Sequence, residues 1–394
     1  MKYFIGLILF TFIISLIGFQ IQADYKNIHF NSIVVDTHND VVGRMMSGED
    51  ISVRTNHGHS DLPRFLEGGV DVQIFSIFVS PSAPVKKYYS IANCQIDSIE
   101  IFIKRSGGKA VIGKSADEIR NLVAAGKFVA MLGIEGGHAI QVDITKLDHF
   151  YKRGVRYMTL TWNNSTSWAT SASDETKEGE KQKKKGLSKL GIQIVKHMNE
   201  IGMIVDVSHV GEKTFWDAIN VTTKPIIASH SSVYTICPNK RNLKDEQIRA
   251  IAKNGGVVCV NFAPFFIDSS FAAKEKLMLE KNKERVDEFR ALQKTDNLLK
   301  EKTVSQLLTK EYAEILPSVK QLVDHIDYIV KLVGVEYVGL GSDYDGISIT
   351  PAGMEDVTCY PKITEELVRR GYSESDIKKI LGENFLRVFK HNEG

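Results

Sequence analysis

The sequence predicts one (β/α)8 TIM-like barrel. Three observations carry this: eight short apolar runs alternating with helix-like segments, polar residues of a few chemical types at the ends of those runs, and ordinary globular composition. The chain has 394 residues, 43% hydrophobic and 25% charged, as soluble globular domains usually are. At ~150 residues per domain this length admits two or three units, but α/β barrels commonly exceed that as one.

The eight runs are Ser32–Val35, Val70–Val79, Phe128–Ile134, Tyr157–Thr161, Met203–Val207, Pro225–Ala228, Val257–Asn261 and Tyr337–Gly341. Short apolar runs separated by helical stretches read as parallel strands with crossover helices, and eight of them suit a closed barrel. Three stretches break the rhythm. Ser173–Lys185 is nearly all charged or polar and reads as a solvated loop. Residues 272–316 are long, charged and helix-prone, and read as a helical excursion over the barrel mouth. The tail Glu365–Phe389 ends in an amphipathic pattern and reads as a packing helix.

The N-terminus stands apart. Lys2 precedes an apolar stretch from Tyr3 to Phe19, and Ala23 precedes Asp24. This is the pattern of a secretory signal peptide over residues 1–23; an uncleaved anchor is the alternative, since the stretch lies near the lower limit of ~17–25 residues for a span. The expectation is an exported, periplasmic or secreted protein with residues 24–394 as one domain. The net charge of +2 creates no global field for nucleic acid or a membrane surface. Cys94, Cys237, Cys259 and Cys359 allow three full disulfide pairings. No CxxC motif suggests a thiolate zinc site.

In such a barrel the chemistry lies at the carboxyl ends of the strands. The first run leads into Asp36-Thr37-His38-Asn39-Asp40, and residues two apart on an extended segment face the same way. The third ends in Glu135-Gly136-Gly137-His138, the fifth at His209, the sixth at His230 and the eighth in Asp343-Tyr344-Asp345-Gly346. One such histidine is usually structural, and one such aspartate is often a helix cap. Three histidines and three carboxylates on one rim instead suggest a metal site, because neutral imidazole and carboxylate suit catalytic zinc. His38, Asp40, Glu135, His209 and His230 are too many for one zinc with an open position, so two Zn2+ are expected, with Glu135 shared between them. Metals ~3.5–4 Å apart can share a hydroxide and clamp a tetrahedral intermediate. Asp343 is left as an acid/base, and Arg241 offers a planar fork for a carboxylate.

The motifs VVDTHND, GIEGGHAI, RYMTLTWN, GMIVDVSHV, IIASHSSVYTICPNKRN, VGLGSDYDG and GENFLRVF together resemble the membrane (renal) dipeptidase family of zinc peptidases. The likeness runs in order from Ile33 to Phe389. It implies a binuclear zinc centre with His38 and Asp40 on one ion, His209 and His230 on the other, and Glu135 bridging. It also implies Asp343 as acid/base, Arg241 on the substrate's terminal carboxylate, and hydrolysis of small dipeptides with tolerance for D-residues at the C-terminal position. Relatives are often homodimers. One position departs from the pattern: Trp162 stands where the best-known animal members place a histidine near the scissile carbonyl. An indole N–H donates one hydrogen bond but cannot become a cation, so Trp162 bears on which substrate fits. Two rivals are another barrel amidohydrolase, with cyclic-amide or deaminase chemistry, and an inactive secreted binding protein. The His38-Asn39-Asp40 opening and the full ligand set argue against them.

Overall fold

The computed structural model describes residues 24–177, 186–296, 299 and 302–393. Nine parallel strands appear: β1 (Val35–Asn39), β2 (Val72–Phe78), β3 (Ala110–Ile112), β4 (Phe128–Glu135), β5 (Val155–Thr159), β6 (Ile204–Asp206), β7 (Ile227–Ala228), β8 (Val257–Val260) and β9 (Val338–Leu340). All except β3 form a closed eight-stranded barrel. β2 pairs with β4 along its length, and Asp36 of β1 meets Leu340 of β9 to shut the ring. The short β3 lies outside the ring against the start of β4. The barrel confirms the predicted fold class, and every predicted run overlaps one of its strands.

The strands are buried because crossover helices cover the outside while side chains fill the inside. β4 reads FVAMLGIE and is buried throughout. Gly133 within it has a packing reason: a Cβ there would collide with the ring of Tyr157 on β5. The missing side chain lets that ring cross the barrel interior.

The helices begin where the sequence supplies acceptors for their free N–H groups. Asp61 caps Leu62–Glu67, Ser115 caps Ala116–Ala124, and Ser188 caps Lys189–Ile201. The last of these ends at Gly202, whose left-handed backbone suits a residue without Cβ. Between β8 and β9 the chain forms helices Phe271–Lys281, Lys283–Leu292, Val304–Leu307 and Thr309–Ala313. Phe271, Met278, Val286, Leu308 and Tyr312 give this excursion its own small apolar cluster, which touches Ile349 beyond β9.

The terminal helix Asn384–Asn392 buries Phe385, Leu386, Val388 and Phe389, as its amphipathic pattern predicts. The charged run starting at Ser173 opens in one helical turn, Ala172–Glu175, capped by Ser171; residues 178–185 of that run lie outside the described residues. So does the predicted signal segment, residues 1–23. Among the described residues no helix is long and apolar enough to cross a membrane. All four cysteines are unpaired.

Candidate metal centre

The C-terminal rim of the barrel gathers the predicted residues from five strands. His38 lies within β1 and Asp40 just beyond it. Glu135 is the last residue of β4. His209, His230 and Asp343 follow β6, β7 and β9. The Nε2 atoms of His209, His230 and His38 lie 2.9, 3.5 and 3.6 Å from Glu135 Oε1. Asp40 Oδ2 lies 3.5 Å from His38 Nε2. Two clusters of donor atoms result, His38–Glu135–His230 and His38–Asp40–Asp343, sharing His38.

Each imidazole is oriented by a partner on its other nitrogen. Tyr157 donates its hydroxyl to Thr37 O, so at 3.0 Å it accepts from His38 Nδ1. Ser229 donates to Asp206 and accepts from His230 Nδ1 at 2.8 Å. His209 Nδ1 donates to Asn163 Oδ1 at 3.2 Å. With Nδ1 protonated in all three, each ring, when neutral, presents its Nε2 lone pair to the centre. His209 Nε2 and His230 Nε2 then face each other at 2.9 Å with no proton to share, and buried His38 Nε2 has no hydrogen-bond partner among the described residues. Donors ~2.0–2.1 Å from a tetrahedral zinc stand roughly 3.3 Å apart, within the range found here. The donor set therefore fits a metal ion.

The charges agree. Burial works against a charged His38, yet the Glu135 and Asp40 carboxylates outweigh it and push its pKa up to about 10. Burial raises Glu135 and Asp343, and the Asp40 charge raises both further. Burial holds His209 and His230 well below the usual imidazole range, helped by the cationic Arg241 and His38. Three carboxylates crowd the point that His38 Nε2 faces, so the centre attracts a cation there, a proton on His38 or a metal ion in its place.

A cavity of about 540 Å³ opens above this point, lined by Asp40, Glu135, Trp162, His209, Arg241 and Asp343 among others. Arg241 is buried, and among the described residues its guanidinium makes only long hydrogen bonds, to His230 O at 3.3 Å and Ser231 Oγ at 3.5 Å. No salt bridge involves it among the described residues. Trp162 packs against Phe78, with ring centroids 4.8 Å apart, and lies 6.2 Å from the His209 ring. It forms a wall of the cavity rather than reaching its centre. His138, in the same motif as Glu135, points away and bonds Val79 O at 2.7 Å.

Sequence reasoning missed the supports: Tyr157, Asn163, Asp206, Ser229 and Asn261, whose amide donates to Asp343 Oδ2 at 2.9 Å. Each stands within or just after a barrel strand, but its partner lies on a different strand or loop, or depends on a hydroxyl's direction. Local backbone strain marks the same rim. His209 and Asp343 adopt left-handed φ of 65° and 64°, which non-glycine residues rarely do and which concentrates at functional sites.

A closed parallel barrel with an imidazole–carboxylate cluster at its C-terminal rim defines a barrel of the metal-dependent hydrolase kind. The profile of the membrane dipeptidase family (peptidase family M19) matches residues 22–394, and the chain belongs to that family; it is a metallo-dipeptidase. A dipeptidase of Schizosaccharomyces pombe, C965.12, described as uncharacterized, is 32% identical over 391 residues, covering 94% of this chain and 83% of that protein. The probable dipeptidase PvdM of Pseudomonas aeruginosa is 25% identical with a TM-score of 0.79, over 95% of this chain and 98% of that one. A metallo peptidase of Rhodobacter sphaeroides, solved with a phosphinate mimic of the dipeptide L-Ala-D-Ala, shares the fold at a TM-score of 0.75. It is 24% identical, over 92% of this chain and 100% of that one.

Proposed function

We propose that this protein is an exported zinc dipeptidase that hydrolyses dipeptides with a free C-terminal carboxylate and tolerates a D-residue at that end. The observation that carries the reading is the convergence of three histidine Nε2 atoms on Glu135 Oε1, within 2.9–3.6 Å. Two zinc ions would be held, one by His38 and Asp40, the other by His209 and His230, with Glu135 shared. When bound, such ions polarise a carbonyl and lower the pKa of water.

The chain's own residues do the rest. Arg241 is a buried fork without a salt-bridge partner among the described residues, and a substrate carboxylate gives it one. Holding that carboxylate fixes the peptide across the cavity and makes the free C-terminus a requirement. Trp162 and Phe78 cover one side of the peptide and exclude water. Asp343, raised by burial and by Asp40, takes a proton at Oδ1 from the attacking water and delivers it to the departing amine as the C–N bond breaks, while Asn261 holds Oδ2. The phosphinate mimic in the Rhodobacter sphaeroides structure supports the D-residue tolerance.

The test is a hydrolysis panel of L-L, L-D and N-blocked dipeptides, with and without chelator. Cleavage of both stereochemical series, abolished by chelator and restored by zinc, is expected. Hydrolysis untouched by exhaustive chelation refutes the metal role, and failure on every L-D substrate refutes the tolerance.

A further inference from the structure

Arg44, outside the cluster of candidate metal ligands, reaches from the helical turn after β1 to the turn that carries Asp343. Its Nη1 donates to Asp345 Oδ1 at 3.2 Å and to Ser60 O at 2.9 Å. Its Nε and Nη2 grip both oxygens of Glu49, at 2.8 and 2.7 Å. Asp345 Oδ1 also accepts from His59 N at 2.8 Å, and Asp345 N donates to His59 Nδ1 at 2.9 Å. The side chain of Asp345 is 3% exposed.

The turn Asp343–Gly346 needs such anchoring. Asp343 and Asp345 both sit at left-handed φ, 64° and 62°, conformations that cost of order 1 kcal/mol or more each for residues with a Cβ. On one side β1 holds the turn: Asp343 N donates to His38 O and Asp40 N donates to Tyr344 O. On the other, its hold through Asp345 is Arg44 and His59. Gly58 is part of the same fit, since a Cβ there would strike the Arg44 guanidinium and the Asp345 carboxylate.

We propose that Arg44 is a positioning residue for the reaction: through Asp345 it fixes the strained turn so that the Asp343 carboxyl faces the centre. The inference rests on the acid–base reading of Asp343. Without Arg44, the Asp345 carboxylate is a buried charge stripped of its cation, a strongly destabilised arrangement. The turn relieves it by swinging Asp345 toward water, and Asp343, two residues away, moves with it. Misplacement of a reacting group by about 1 Å costs on the order of a hundredfold in rate.

The test uses the metal-loaded enzyme and compares Arg44→Met, Asp345→Asn and the double variant. Arg44→Met should lower kcat about tenfold to a hundredfold, with KM within about twofold and metal content unchanged. Adding Asp345→Asn removes the stranded charge and should recover most of the lost kcat, a rescue that a merely structural defect would not give. If Arg44→Met does not fold, Arg44→Lys takes its place, keeping a cation but losing the fork. Normal kcat in a folded Arg44 variant overturns the proposal, as does a loss that Asp345→Asn fails to rescue. Asp343→Asn separates the two readings. If it retains turnover, the acid–base role falls; if it is inactive while the Arg44 variants are normal, positioning alone falls.

Discussion

Ser229 Oγ lies 2.8 Å from His230 Nδ1 and 2.7 Å from Asp206 Oδ2. A hydroxyl has one proton, and the carboxylate can only accept. The imidazole is therefore the donor in the Ser229–His230 pair, and its Nε2 is left bare. Asp206 sets the tautomer of His230 through an intervening serine. Ser229→Ala or Asp206→Asn should weaken metal retention about tenfold to a hundredfold, read by competition against a calibrated chelator. Unchanged affinity in both variants would remove the relay from the account.

Metal stoichiometry tests Glu135. Five candidate donors suit two ions, so purified protein should hold close to two zinc equivalents, and Glu135→Gln should reduce that number. A firm value of one in the unaltered protein would sink the shared role of Glu135.

Arg241 makes a prediction about substrates. Burial lowers its pKa only to about 10, so it stays charged at neutral pH and seeks an anion. C-terminally amidated dipeptides should lose about tenfold to a thousandfold in kcat/KM relative to the free acids, as expected for a desolvated charge left unpaired. Arg241→Lys should keep the preference but weaken it, since an ammonium cannot make the planar two-point contact. Equal hydrolysis of acid and amide refutes the assignment.

Gly346 separates stability from function. A Cβ there would press on Asp40 Oδ2 and Asp343 Oδ1, both at the site. Gly346→Ala should thus depress kcat by at least about tenfold, because displaced reacting groups are costly, while Tm moves by only a few degrees. A large Tm loss with normal specific activity in the folded fraction would contradict this.

His325, away from the site, predicts acid sensitivity. Its Nδ1 accepts from Val233 N–H at 3.0 Å and its Nε2 donates to Ile267 O at 3.1 Å, so the folded protein needs it neutral. Burial lowers its pKa from 6.5 to about 4. The folded value lies below the unfolded one, so unfolding takes up a proton between those limits. The stabilisation is full above pH 6.5 and is lost as pH falls through 4, up to about 3 kcal/mol. His325→Gln keeps a donor and an acceptor without titrating. Its Tm should fall less than that of the unaltered protein from pH 7 to 4.5, and parallel curves would exclude the effect.

The barrel was legible because its strands are buried on both faces and therefore read as continuous apolar runs. β1 shows where that signal fails. Its predicted run stops at Val35, but the strand occupies Val35–Asn39. Asp36, Thr37, His38 and Asn39 are polar and fully buried, each hydrogen-bonded to partners such as Ser342, Ser229 and Tyr157, the His38 ring through Nδ1 only. Polar residues end an apolar run in sequence but not a strand whose interior end is a site. β3 was invisible because three residues outside the ring carry no pattern. The candidate ligands could be read from their positions at strand ends. Their supports could not, since Tyr157 reaches His38 only because Gly133 leaves the barrel interior open.

The closure of the ring has a consequence for how the enzyme is made. Asp36 accepts from both the backbone and the hydroxyl of Ser342, 306 positions later. The strand that brings His38 is the first to leave the ribosome, and the strand that brings Asp343 is the last. Until that final strand is added, the donors have no ring to hold them on one rim. Contacts of such long sequence separation also slow folding. A half-made chain thus lacks the assembled peptidase site, and activity appears only with the complete barrel.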